Sequence, residues 1–309
     1  MTCKVLVAGA GAIGGFYGAL LAKAGCEVSV LCRSGFDTVK RHGFHIDSHD
    51  LGQWQFKPAQ VLQHAGDYQG DPDYILVCTK VIPSLDRAAL IQPAVKAKTA
   101  IVLIQNGIAI ESEMQSAFPW HEIISGLAFI CSNQTAPGVI RHLAYGRLIL
   151  GNWPVSVSDK TLQLSQRFNQ AGIECLTTEN IVAGRWQKCV WNAPFNPLSV
   201  LSGGLPTLAI LQTQEALVRG VMQEVFDTAK ALGYPLPDDI IDNNIERTYN
   251  MPPYKTSMLL DFEHGRPMET EAILGNTVRA AVQHGIACPR LQSLYALMQL
   301  RELQVNYLP

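Results

Sequence analysis

A chain of 309 residues, 48% apolar and 16% charged, has enough apolar material for one large core or two smaller ones, and two are expected. A formal net charge of −2 excludes the basic footprint that nucleic acid or an anionic membrane would require. No apolar run approaches the ~20 residues that span a bilayer, and no secretory pattern opens the chain, so a cytoplasmic protein is expected.

The first element is the β-branched run "CKVLVAGA", followed by "IGGFYGALLAKAG" with helical periodicity and a stop at Gly25. "EVSVLCR" then reads as a second strand, which completes a βαβ unit of about 30 residues. Between strand and helix lies Gly9-Ala10-Gly11-Ala12-Ile13-Gly14, the G-x-G-x-x-G pattern. In such a loop the first glycine permits the tight turn, the second lets backbone approach a pyrophosphate, and the third allows close helix–strand packing. The helix N-terminus adds free N–H groups and positive potential for the phosphates. The second strand ends in Arg33 where a site for NAD carries Asp or Glu. An arginine there can pair with a 2′-phosphate, so NADP(H) is the expected cofactor; a solvated strand-end residue is the other reading.

His42, His45 and His49 follow in a polar, hairpin-like stretch expected at the surface and without metal-ligand spacing. "DYILVCTKV" is a buried strand ending near Lys80, and "TAIVLIQNG" another ending in Gln105-Asn106-Gly107. Ligands of open α/β sheets gather at the carboxyl ends of strands, which makes Lys80 and Asn106 candidates. "IISGLAFICSN", "GVIRHLA" and "RLILGNW" read as short antiparallel strands between polar turns. A helix around "KTLQLSQRFNQAG" and a last strand "IECLTT" close this half, with the boundary placed between 178 and 179. The fold class is therefore α/β plus all-α: a Rossmann-type domain over 1–178, then a helical one over 179–309. The eight cysteines, none in a C-x-x-C pair, read as thiols in a reducing compartment, and no metal is expected.

The second half has helical spacing in "TQEALVRGVMQEVFDTAKALG" and "EAILGNTVRAAVQHG". Lys188, Asn192 and Asn196 recur every four residues on one helix face, although Pro194 and Pro197 predict a kink or an end there. By itself, a lysine among Trp186, Val190 and Trp191 is either a snorkelling surface residue or a partly buried ammonium. Glu269 and Glu271 could each cap the helix that follows them.

The glycine loop with Arg33, the Lys80 strand end, Gln105-Asn106-Gly107, "WQKxxxNAxxNPLS" and "TSMLLDxxxGRPxE" together resemble the ketopantoate reductase family (2-dehydropantoate 2-reductase). The resemblance runs nearly end to end. It implies an oxidoreductase of pantothenate biosynthesis that reduces ketopantoate to pantoate with NADPH, on a Rossmann-type domain followed by a helical one. It implies Lys188 as general acid and Glu269 as its active-site carboxylate. Asn106, Asn192, Asn196 and Ser257 would hold substrate; Lys80, Asn106 and Glu269 would also face the cofactor. Tyr254, Leu260 and Met268 depart from the usual pattern at the substrate end. The alternatives are a reductase of the same fold acting on another 2-oxo acid, or a non-catalytic NADP(H)-binding sensor. A homodimer is compatible with the amphipathic helices, as is packing of those helices within the chain.

Overall fold

A computed structural model of the protein describes residues 2–251 and 254–307. The chain divides into two compact units: Met1–Thr79 with Leu85–Gln105 and Glu111–Ile181, and Lys80–Ser84 with Asn106–Ile110 and Val182–Pro309.

The first unit is a ten-stranded sheet with helices. Its elements are β1 (Lys4–Ala8), α1 (Ala12–Lys23), β2 (Glu27–Leu31), α2 (Phe36–His42), β3 (Phe44–Ser48), β4 (Gly52–Phe56), β5 (Val61–Leu62) and β6 (Tyr74–Val77). They continue with α3 (Arg87–Ile91), β7 (Ala100–Ile104), α4 (Glu111–Ala117), β8 (Ile123–Ala136), β9 (Val139–Asn152), α5 (Asp159–Gln170) and β10 (Cys175–Thr177). The strand order is β4-β3-β9-β8-β7-β6-β1-β2-β5, with β10 beside β9. From β8 through β5 every pairing is parallel.

Strand alternation sorts the side chains onto two faces. Val5, Val7, Leu76 and Val102 join one core cluster with Phe16 and Leu20 of α1, whereas Leu6, Ala8, Val77 and Leu103 join another with Ile91 and Met114. Both faces of the central strands are thus covered, and for that reason these strands are continuously apolar in sequence. Because β1 pairs with β2 on one side and β6 on the other, strand order reverses at the carboxyl end of β1, where doubly wound sheets bind ligands.

"GVIRHLA" and "RLILGNW" are one strand, not two. Tyr145 (φ 69°) and Gly146 (φ 108°) look like a turn in sequence, but they form a bulge inside β9. The ladder steps from Phe129↔Arg147 to Ile130↔Tyr145 and resumes. A bulge absorbs one residue and lets pairing continue, which a period-two pattern cannot anticipate.

The second unit is helical: α6 (Ile181–Leu201), α7 (Thr207–Ala231), α8 (Ile240–Asn250), α9 (Ser257–Glu263), α10 (Asn276–Gln283) and α11 (Pro289–Tyr307). A π-type turn, Glu271–Gly275, leads into α10. Trp186, Val190, Phe195, Val218, Met222, Leu274 and Leu291 share its core. The expected end at the prolines is corrected: α6 runs through Pro194 and Pro197 to Leu201. Each ring removes one backbone donor at a cost of ~3 kcal/mol. Burial of Val190, Ala193, Phe195 and Val200, at ~1.5–3 kcal/mol for each large side chain, offsets that cost. Among the described residues, no helix is long and apolar enough to cross a membrane.

Candidate active site

At the carboxyl end of β1 two glycines are demanded by the protein itself. Gly9 has φ +96°, and a Cβ there would lie 2.7 Å from the Thr79 nitrogen. A Cβ on Gly14 would lie 2.2 Å from the Gly9 carbonyl oxygen. Gly11 differs: a Cβ there would meet nothing within 4 Å. It is the N-cap of α1, with no side-chain cap and no acidic residue in the first turn. Ala10 is buried and Ala12 half-buried, so the small residues around Gly11 leave the first N–H groups approachable. Arg33 is exposed two residues beyond β2, and among the described residues no carboxylate pairs with it. A bare helix N-terminus beside an unpaired guanidinium fits a phosphorylated dinucleotide.

The β6 and β7 exits are tied together within the first unit. Gln105 donates to the Thr79 carbonyl at 2.6 Å and accepts from Arg87 Nη1 at 2.9 Å. The next residues along each strand, Lys80 and Asn106, belong to the second unit.

There Asn106 bridges two charged groups. Its Oδ1 accepts from Lys188 Nζ at 2.9 Å, and its Nδ2 donates to Glu269 Oε2 at 3.2 Å. The other oxygen of Glu269 accepts from the Val81 backbone N–H at 3.1 Å. Lys80 Nζ lies 2.7 Å from Asp261 Oδ2 and donates to the Pro267 carbonyl at 2.9 Å, which fixes the segment that presents Val81. The turn after Asn106 must be glycine: Gly107 has φ +114°, and a Cβ would meet that of Ala272 at 2.7 Å. Arg185 Nη1 donates to the Gly107 carbonyl at 3.3 Å.

Burial dominates the electrostatics of the pair. It weakens the Lys188 ammonium, Arg185 weakens it further, and Glu269 opposes both, leaving the pKa at about 8. Burial likewise pushes the Glu269 carboxyl up; the Val81 N–H, Asn106 and Lys80 pull it down, and Asp261 raises it. A lysine that shares its proton near working pH is suited to general acid chemistry.

Asn192 and Asn196 follow Lys188 by one and two turns of α6, half-buried and buried respectively. Ser257 is exposed at the start of α9; its neighbour Thr256 is buried, caps α9 and hydrogen-bonds Ser199 at 2.7 Å. None of the cluster's bonds described above involves Asn192, Asn196 or Ser257. Glu271 faces elsewhere, towards Arg279 and Tyr295. Asp261 and Arg185 escaped the reading of the sequence, although Asp261 stands within "TSMLLDxxxGRPxE" and Arg185 three residues before Lys188. Of the departures, Met268 is buried in the helical core, Leu260 is half-buried, and the Tyr254 ring lies 6.1 Å from that of Trp191.

Comparison with known proteins matches residues 5–155 to "Ketopantoate reductase PanE/ApbA" and residues 180–302 to its C-terminal counterpart. The chain belongs to the ketopantoate reductase family. A 2-dehydropantoate 2-reductase of Nostoc sp. is 36% identical over 94% of this chain and 93% of its own length. The crystal structure of 2-dehydropantoate 2-reductase from Methylococcus capsulatus superposes with a TM-score of 0.94 at 57% identity, covering 98% of this chain and 97% of that one. D-mandelate dehydrogenase, solved with NADH and anilino(oxo)acetate, shares the fold at a TM-score of 0.87 and 22% identity, over 98% of this chain and 99% of that one. Ketopantoate reductases are nicotinamide-dinucleotide-dependent, and this member is an oxidoreductase.

Proposed function

We propose that the protein reduces 2-dehydropantoate to pantoate with NADPH, Lys188 acting as general acid. The observation that carries this reading is the chain of bonds from Lys188 through Asn106 to Glu269, with the ammonium tuned to about 8. The dinucleotide belongs to the Gly9–Gly14 loop, with Arg33 on its 2′-phosphate, and residues 1–178 form the cofactor domain. When bound, the reduced nicotinamide supplies the hydride for the C2 ketone.

The chain's own residues supply the rest. As hydride adds, negative charge develops on the ketone oxygen; the Lys188 ammonium stabilises that charge and donates its proton there. Asn106 orients the ammonium, because its amide can accept from Lys188 only while its N–H group serves Glu269. Glu269 keeps Asn106 turned that way and favours the charged lysine. Asn192, Asn196 and Ser257 bind the substrate's hydroxyl and carboxylate groups, and residues 179–309 form the substrate domain. Lys80, ion-paired with Asp261, steadies the cofactor-side segment through Val81.

Steady-state oxidation of NADPH, with NADH alongside, against ketopantoate and a panel of 2-oxo acids tests this reading. Efficient turnover of ketopantoate with NADPH is expected. Preference for another oxo acid would replace the substrate and keep the chemistry. NADPH binding without turnover of any oxo acid would overturn the reading in favour of a sensor.

A further inference from the structure

Lys188 has a second cation beside it that the mechanism leaves without a task. Arg185 is 2% exposed and precedes Lys188 by three residues, so the two leave one face of α6 a turn apart. A guanidinium stays charged at any working pH and is costly to bury, whereas Leu or Met would fill the same space without that cost. Its Nη1 reaches the Gly107 carbonyl, the peptide that directly follows Asn106. Lys188 Nζ holds the side chain of Asn106 itself. One helix face therefore grips two consecutive residues, one by backbone and one by side chain.

We propose that Arg185 is a positioning residue for Lys188: it fixes the Asn106–Gly107 peptide against which the ammonium is held and places a permanent positive charge one turn from it. The proposal rests on Lys188 being the proton donor. A like charge nearby disfavours the ammonium and so makes its proton easier to release to the developing alkoxide. Among the described residues, the charged groups that act on Lys188 are Arg185 from its own helix and Glu269 from the segment before the π-type turn. The 106–110 segment contributes the neutral Asn106 amide, and Lys80 and Asp261 act on Glu269. Arg185 and burial push in one direction and Glu269 in the other.

The test is the pH dependence of kcat/KM for reduction at saturating NADPH, in wild type, Arg185→Gln, Arg185→Lys and Lys188→Ala. The general acid must be protonated, so the wild-type rate falls as pH rises through about 8. Arg185→Gln keeps a donor for the Gly107 carbonyl and removes the charge. Its alkaline limb should move up by about one pH unit, the scale of one charge at this separation. Its plateau kcat should fall several-fold with a smaller change in KM, so that its profile crosses the wild-type profile at high pH. Arg185→Lys should restore the limb. A merely structural arginine would lower the whole profile without displacing it, and that result in Arg185→Gln overturns the proposal. If the glutamine variant does not fold, Arg185→Met takes its place; if only Arg185→Lys folds, an upward-shifted limb in it overturns the proposal. Lys188→Ala separates the two levels of the argument. A full rate and an intact limb in that variant would sink the general-acid reading. Loss of rate and limb there, with an unmoved limb in Arg185→Gln, would sink only the role of Arg185.

Discussion

At the Gly9–Gly14 loop the chain offers backbone and no polar side chain. Gly9 and Gly14 are forced by neighbouring atoms of the protein, and Gly11 faces open space. Charge enters there as the unsatisfied N–H groups of α1 and the exposed Arg33. The cluster around Lys188 does the reverse: its charged side chains are half-buried and each has a specific partner, Lys188 on Asn106, Glu269 on Asn106 and Val81, Lys80 on Asp261. An exposed guanidinium and free amides gain most when an anion arrives, so such a site selects its ligand. Burial has already lowered the proton affinity of Lys188 and raised that of Glu269 before any ligand arrives, the pattern expected of a site that moves protons. Recognition and proton transfer should therefore fail separately when each region is damaged.

The largest effect is expected at the cluster. Lys188→Ala should lower kcat by at least ~10²-fold, the usual scale for loss of a general acid. Its NADPH affinity, followed by the fluorescence of the bound nicotinamide, should stay within a few-fold of wild type. A fall in affinity as large as the fall in kcat would mean the two regions are not separable. A smaller effect is expected at the loop. Arg33→Asp removes a charge-assisted pair worth ~1.5–3 kcal/mol and adds repulsion, so the ratio of kcat/KM for NADPH over NADH should drop by about tenfold to a hundredfold. The rate with saturating NADH should hardly change. An unaltered ratio would assign recognition of the 2′-phosphate to another residue.

The two regions also differed in how much the sequence disclosed. The glycine loop is local: turn, helix start and packing contact all fall within six residues, and Arg33 is one strand away. Continuous burial in β1, β6 and β7 was equally legible, because both faces of a parallel sheet are apolar. The cluster draws on residues 80, 106, 188 and 269, and its closest bonds span up to 188 positions. No periodicity encodes such a meeting, so the resemblance to a family located Lys188 and Glu269 where spacing alone left snorkelling and helix capping open. Arg185 was missed because an arginine on a helix is ordinarily solvated, whereas here it is buried and bonded to Gly107. The continuous β9 and the proline-bearing α6 were missed for a shared reason. Tertiary packing tolerates a bulge or a lost donor that local pattern counts as an ending.

The smallest expected effect concerns the departures that raised the question of a different oxo acid. Met268 precedes Glu269, and on sequence alone its exchange for a smaller residue could be imagined to reshape the substrate end. Yet the residue is 7% exposed and belongs to the helical core that also holds Leu274 and Met298. Met268→Leu, a swap of similar volume, should cost less than ~1.5 kcal/mol of stability, seen as a lowered Tm of a few degrees at most. The ratio of kcat/KM between ketopantoate and any other 2-oxo acid should remain within about twofold, since a core methionine contributes equally to both transition states. A larger change in that ratio, with Tm preserved, would show that the position of Glu269 responds to its neighbour's packing. Substrate choice would then depend on the core beneath the cluster as well as on the side chains that bind the acid.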